Sequence, residues 1–301
     1  MKGKSTGTLL VALLLTVSAC SGAVAGERGL RVVATTTILG DVVTRVTGGE
    51  AVVDILLPIG ADPHEFQASS RQITELGRAD LVVANGLGLE QALDDVLLSL
   101  EADGVRVFRV SEHLDPIPFG TGSGSGEHDL DPHVWMDAGR MATAARLISA
   151  ELKLLDPDGP WQANADAYSA ELESLDVEIE QMLAAVTNRV LVTNHDSLAY
   201  LAQSYGFEVV GVVVPGGSTL ATPSSAGLAE LVSTIESRGV SAIFTESTDS
   251  GALGDAVAAE VDDGVEVVRL FVGSLGGPGS AAETYIEMMR TDAALIAGAL
   301  D

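Results

Sequence analysis

Short apolar runs alternate with amphipathic stretches along most of this chain. Arg31-Val32-Val33-Ala34 reads as a buried strand, followed by a helical stretch over 40–46. Further strands are expected at 51–57, 81–84 and 105–110, with helices at 71–77 and 89–100 between them. After residue 189 the rhythm returns, with strands at 190–193, 209–214, 242–244 and 265–271 and helices at 197–205, 225–237 and 253–261. Continuous Val/Leu/Ile/Ala runs are buried on both faces, as happens when helices cover both sides of a parallel sheet. The predicted fold class is α/β, with two similar parallel-sheet lobes carrying helices on both faces.

A different pattern separates the lobes. Asp158-Gly159-Pro160 is a helix start signal, because Pro suits a first turn whose N–H has no partner. No Gly or Pro follows from Trp161 to Val186. Leu172, Leu175, Ile179, Met182, Leu183 and Val186 recur at three- and four-residue spacing and make one apolar stripe. A helix over that span is about 39 Å long and is expected to join the lobes rigidly. The expected division is an N-terminal lobe at 29–157, a linking helix at 158–188 and a C-terminal lobe at 189–301.

The chain start has its own signature. Lys2 and Lys4 precede an apolar run from Leu9 to Val17, then Ser18-Ala19-Cys20. The run is too short to span a bilayer, which takes about 20 apolar residues. A basic start, a short apolar stretch and a small-residue cleavage site make a secretory signal at 1–19. Val17-Ser18-Ala19-Cys20 resembles a bacterial lipobox, in which the Cys becomes the lipidated N-terminus. Cys20 is therefore the expected lipid attachment point, with 20–28 as a tether. The expected location is the outer face of the cytoplasmic membrane, at the cell surface or in the periplasm.

Composition narrows the partners. Removal of 19 of the 301 residues leaves 282 and takes the formal charge from −27 to −29, because both departing charges are lysines. That excess of acid argues against nucleic acid, whose phosphates need Lys and Arg. It suits cations, or simply keeps an exported protein soluble. Apolar content of 47% is enough for a packed core. Cys20 is the only cysteine, so no internal disulfide is possible.

Five histidines carry the candidate chemistry: His64, His113, His128, His133 and His195. Asp62-Pro63-His64-Glu65 follows the strand ending at Leu57. Asp131-Pro132-His133-Val134-Trp135 precedes a helix starting near Ala138. Asn194-His195-Asp196-Ser197 follows the strand ending at Thr193. Open α/β sheets bind ligands outside the carboxyl ends of their strands. Three imidazoles meeting there suit a borderline transition metal, and the neighbouring aspartates can orient the rings. Read more plainly, Asp-Pro starts turns, Asp196 and Ser197 cap a helix, and Trp135 packs. His113 reads as structural or surface. His128 follows the Gly/Ser-rich stretch from Phe119 to Gly126 and reads as a loop residue.

These segments together resemble the metal-binding lipoproteins of bacterial ABC importers for zinc and manganese, the ZnuA/TroA-like solute-binding proteins. The likeness rests on LPIGADPHEFQASSRQI around His64, DPHVWMDAGR around His133, TNHDSLAYLAQSYGFEV around His195, AIFTES around Glu246, and the long helix. It implies two lobes joined by a rigid helix, metal in the cleft, and His64, His133 and His195 as ligands. The usual fourth ligand in that family is an Asp where this chain has Gly273. Water, the carboxylate of a bound anion, Glu246 or Glu65 are then candidates, and Glu246 alternatively serves as a carboxylate bracing a ligand His. The resemblance implies a monomeric, non-catalytic receptor that delivers zinc, or less readily manganese, to a membrane permease. The competing readings are a manganese receptor of the same family, an exported zinc-dependent hydrolase, and an adhesin that keeps the fold.

Overall fold

The computed structural model describes residues 1, 3, 29–119, 130–262 and 264–300. Apart from residues 1 and 3, the expected signal sequence lies outside the described residues, as do Cys20, the tether, His128 and the Gly/Ser stretch beyond Phe119.

Two four-stranded sheets carry the molecule. The first joins β1 (Arg31–Ala34), β2 (Val52–Ile55), β3 (Leu81–Ala84) and β4 (Arg106–Arg109) in the order β2-β1-β3-β4. The second joins β5 (Val190–Thr193), β6 (Glu208–Val212), β7 (Ala242–Glu246) and β8 (Glu266–Leu270) in the order β6-β5-β7-β8. All pairings are parallel. The interior strands β3, β5 and β7 are buried along their whole length, whereas β2, β4, β6 and β8 sit at the edges and are partly exposed. The edges carry charges, among them Asp54, Arg106, Arg109, Glu208 and Arg269, which discourage pairing with another chain.

Helices α1 (Thr37–Thr47), α2 (Ser70–Leu76), α3 (Asp94–Ala102), α4 (Ala138–Leu155), α6 (Ala199–Tyr205), α7 (Ser225–Arg238) and α8 (Ala252–Ala259) cover the sheets. Four of them, α1, α2, α4 and α7, start where a side chain caps an orphan N–H group. Thr36 accepts from Leu39 N, Asp137 from Arg140 N and Ser224 from Gly227 N, and Ser69 with Gln72 forms a reciprocal capping box. Helix α1 ends at Gly48 in the left-handed region, at φ 59°, a conformation glycine adopts without strain.

The linking helix α5 spans Trp161–Leu183, shorter than the 161–186 expected from its stripe. Arg189 accounts for the early stop, since its guanidinium donates to the Leu183 and Tyr205 carbonyls. The helix is about 34 Å long and packs along α4, with α9 (Tyr285–Leu300) and α1 on its other contacts. Helix α9 and most of α4 were not read from the sequence. One apolar core runs from α1 and β1 through α4 and α5 to α9, while two smaller clusters lie on the outer faces of the two sheets.

Candidate metal centre

Both Asp-Pro-His segments fold the same way. Asp62 Oδ1 accepts the His64 backbone N–H at 2.8 Å, and Asp131 Oδ1 accepts that of His133 at 2.9 Å. An aspartate bonding the backbone two residues on makes a tight turn, and here each turn presents the imidazole. His64 lies between β2 and α2, His133 just before α4, and His195 two residues beyond β5. The structure thus brings together three of the five histidines.

Their Nε2 atoms converge. His133 Nε2 is 3.3 Å from His64 Nε2 and 3.1 Å from His195 Nε2, and ligand atoms of all three lie within 4.8 Å of one another. His133 and His195 are each 1% exposed and His64 6%. Two rings are braced from behind. His133 Nδ1 lies 2.7 Å from Asp131 Oδ1, and His195 Nδ1 lies 2.7 Å from Glu246 Oε1. A ring that donates its Nδ1–H to a carboxylate has its Nε2 lone pair fixed toward the centre. These two fixed lone pairs and the Nε2 of His64 crowd one another, and a divalent cation between the three relieves the crowding.

The electrostatics keep two of the three rings neutral. Burial, with His133 and His195 close by, holds His64 well below the usual imidazole value, and burial with His195 does the same to His133. Burial also lowers His195, but the charge and hydrogen bond of Glu246, with the charges of Asp62 and Asp131, outweigh it and leave the ring raised. Glu246 is the mirror case: burial raises it, and the histidines, His195 foremost, bring it below the usual carboxylate value. Burial pushes the Asp131 carboxyl up to about 7.

Glu246 ends β7 behind His195 and is not one of the three converging groups. Its Oε1 also accepts from Ser197 Oγ at 3.1 Å, and Thr248 Oγ1 donates to Oε2 at 3.4 Å. Ser197 therefore serves the carboxylate rather than capping α6, whose cap Leu198 makes no side-chain bond. Glu65, the other carboxylate considered for the fourth position, is exposed. A Cβ at Gly273 would lie 3.1 Å from Thr248 Oγ1 and 3.3 Å from Pro63 Cδ, so Thr248 occupies the space beside it.

Several supporting residues carried no sequence signal. Tyr200 donates its hydroxyl to the Asp131 carbonyl at 2.7 Å, and Asn85 Nδ2 donates to the Pro132 carbonyl at 3.0 Å. Buried Glu90 holds the Asn85 and Gly86 N–H groups at 2.8 and 3.0 Å. Trp135 is buried, as packing requires, but it also stands edge-on to His133 and donates Nε1–H to the Val272 carbonyl across the lobes at 2.9 Å. His113 lies away from the centre and stacks on Phe108.

A profile described as zinc-uptake complex component A, periplasmic, matches residues 32–299. The chain belongs to this family. Members are solute-binding components of importers rather than enzymes, and this zinc-uptake component A homologue is a metal-binding ABC receptor with a three-histidine site. It is 30% identical to the manganese-binding lipoprotein MntA of Halalkalibacterium halodurans, over 87% of this chain and 85% of that one. It is 32% identical to the zinc-binding protein TroA of Treponema pallidum, over 89% of this chain and 88% of that one. The solved structure of periplasmic zinc-binding TroA superposes with a TM-score of 0.81, covering 90% of this chain and 99% of that one at 30% identity.

Proposed function

We propose that this receptor captures zinc in preference to manganese, with His64, His133 and His195 as ligands and Glu246 bracing His195. The observation that carries the reading is the donor set: three imidazole Nε2 atoms converge and, among the described residues, no carboxylate oxygen converges with them. Manganese favours oxygen-rich octahedral sites and lies at the weak end of the intrinsic affinity order. Zinc is satisfied by three nitrogens and one water or anion in a tetrahedron. The manganese reading draws on the likeness to MntA.

In this reading Cys20 carries the lipid that tethers the chain outside the cytoplasmic membrane, and the loaded receptor delivers its ion to a permease. Competition titration of the purified chain with both metals, beside elemental analysis, tests the choice. One zinc per chain and much weaker manganese are expected, and displacement of zinc by equimolar manganese overturns the reading. Cys20→Ala is expected to release the protein from membranes or leave it unprocessed, and normal cleavage with full membrane retention refutes the anchor.

A further inference from the structure

The three rings are not held alike. Asp131 braces His133 and Glu246 braces His195, but among the described residues no side chain holds His64 Nδ1. Its neighbour Asp62 turns away from the ring: Oδ1 takes the His64 backbone N–H, and Oδ2 accepts from Thr219 Oγ1 at 2.6 Å. The least braced ring is also the one that borders open space. A cavity of about 150 Å³ is lined by His64, Leu87, Gln91, Phe119, Gly217 and Ser218. A wider depression of about 480 Å³ also reaches His64, between Glu65, Gln67, Gln91 and Leu220. Neither is lined by His133 or His195.

Residues 215–224, between β6 and α7, form part of the rim of both spaces. Their root is fixed to the C-terminal sheet, where Val214 N donates to the Asn194 carbonyl and Asp196 N to that of Gly216. Their tip crosses to the other lobe. There the Phe119 ring occupies the place a Cβ on Gly217 would need. Among the described residues, Thr219–Asp62 is the one hydrogen bond joining this tip to the N-terminal lobe.

We propose that His64 is the exchanging ligand, and that the Thr219–Asp62 hydrogen bond latches residues 215–224 over it, so that metal enters and leaves past this ring. The inference rests on the three-histidine site proposed above. The braced rings of His133 and His195 keep the ion while His64 moves. The hydrogen bond bridges the turn that carries His64 and the segment that covers it, so breaking it frees both together. Thr219 is then a positioning residue that sets exchange rates more than affinity.

The test is stopped-flow kinetics on the full chain loaded with zinc, using excess chelator for release and a zinc-responsive dye for capture. Thr219→Val removes the donor at nearly constant shape. Release is expected to quicken about 3- to 10-fold, the range a single hydrogen bond supplies. Capture is expected to quicken as well, so that Kd moves much less than the release rate, and Thr219→Ser is expected to restore both rates. Release at the parent rate in Thr219→Val overturns the latch. So does faster release with unchanged capture, which marks a weakened site rather than a gate, or a Ser variant that behaves like Val. His133→Ala separates the two levels: undiminished zinc binding there brings down the site itself, whatever Thr219 does.

Discussion

Glu246→Gln is the most informative single change, because it separates a carboxylate that braces a ligand from one that is a ligand. The parent carboxylate is 3% exposed, and its Oε1 stands 2.7 Å from His195 Nδ1. Gln can offer its amide oxygen to the same N–H, so the ring keeps its direction, but the negative charge is gone. Loss of such an outer carboxylate costs about 10- to 100-fold in metal affinity, or about 1.4–2.8 kcal/mol at tenfold per 1.4 kcal/mol. Glu246→Ala is expected to lose more, since it also strands a buried N–H at a cost of about 1–3 kcal/mol. The acid limb moves the other way. Burial lowers the His195 value, and Glu246 is the foremost of the carboxylates that offset it, so removal of its charge leaves only the weaker pull of Asp62 and Asp131 against burial and lowers the ring's pKa. Protons then compete with metal at lower pH than in the parent. The affinity gap between parent and Gln variant is expected to be widest near pH 8 and to narrow toward pH 5.5. Chelator competition titrations across that range measure it. An unchanged affinity at pH 8, a gap that widens in acid, or a loss as large as that of His195→Ala would refute the bracing role.

Three further expectations follow from other parts of the molecule. Gly273→Asp alone is expected to change the zinc-to-manganese ratio little, because its Cβ meets Thr248 and Pro63; Gly273→Asp with Thr248→Ala is expected to narrow the ratio in competition titrations, and equal ratios in the two variants would contradict the steric account. Burial pushes the Asp292 carboxyl up to about 7 from 3.8, so the fold takes up a proton there, and the stability this gives in acid is lost as pH rises from about 4 through 7. Asp292→Asn is expected to flatten that fall and stabilise the protein at pH 8 by up to about 4 kcal/mol at 1.36 kcal/mol per pKa unit, and chemical denaturation that finds the same pH slope in both proteins would count against it. Finally, α5 packed along α4 and α9 is expected to limit metal-dependent lobe movement to small shifts, which solution scattering of metal-free and loaded protein checks; a closure of tens of degrees would contradict it.

The site histidines were legible because their signal is local. Asp-Pro-His appears twice, each copy folding into the same aspartate-capped turn, and His195 follows an apolar strand that ends two residues before it. Partners set by tertiary contact were harder to read. Glu246 was legible as a brace for a ligand histidine only through the family resemblance, because it meets His195 through the pairing of β7 with β5, and Thr219, which meets Asp62 across 157 positions, carried no signal. The aspartates next to the rings were expected to orient them; Asp131 does touch its own histidine's ring, whereas Asp62 serves the backbone and Thr219 instead. Interior strands read well because both faces are buried. Helix α9 escaped notice because it lies beyond β8, outside the alternation of strands and helices that builds the two sheets. The last turn expected of α5 was lost to Arg189, a cation that takes the helix's terminal carbonyl from beyond its end.

The apolar core that runs from α1 through α4 and α5 to α9 has a consequence for how the molecule comes apart. Side chains from both halves, such as Val42, Leu172 and Tyr285, share that core, so neither half retains a closed interior when the other melts. Calorimetry of the metal-free protein should therefore record one cooperative transition rather than two, with calorimetric and van't Hoff enthalpies in agreement. Because bound ion stabilises only the folded form, its free energy is then spread over the whole chain, and loading should raise that single midpoint as a unit. Under the same reasoning, a fragment comprising either sheet with its own helices should expose the severed core and behave as a sticky, incompletely folded species.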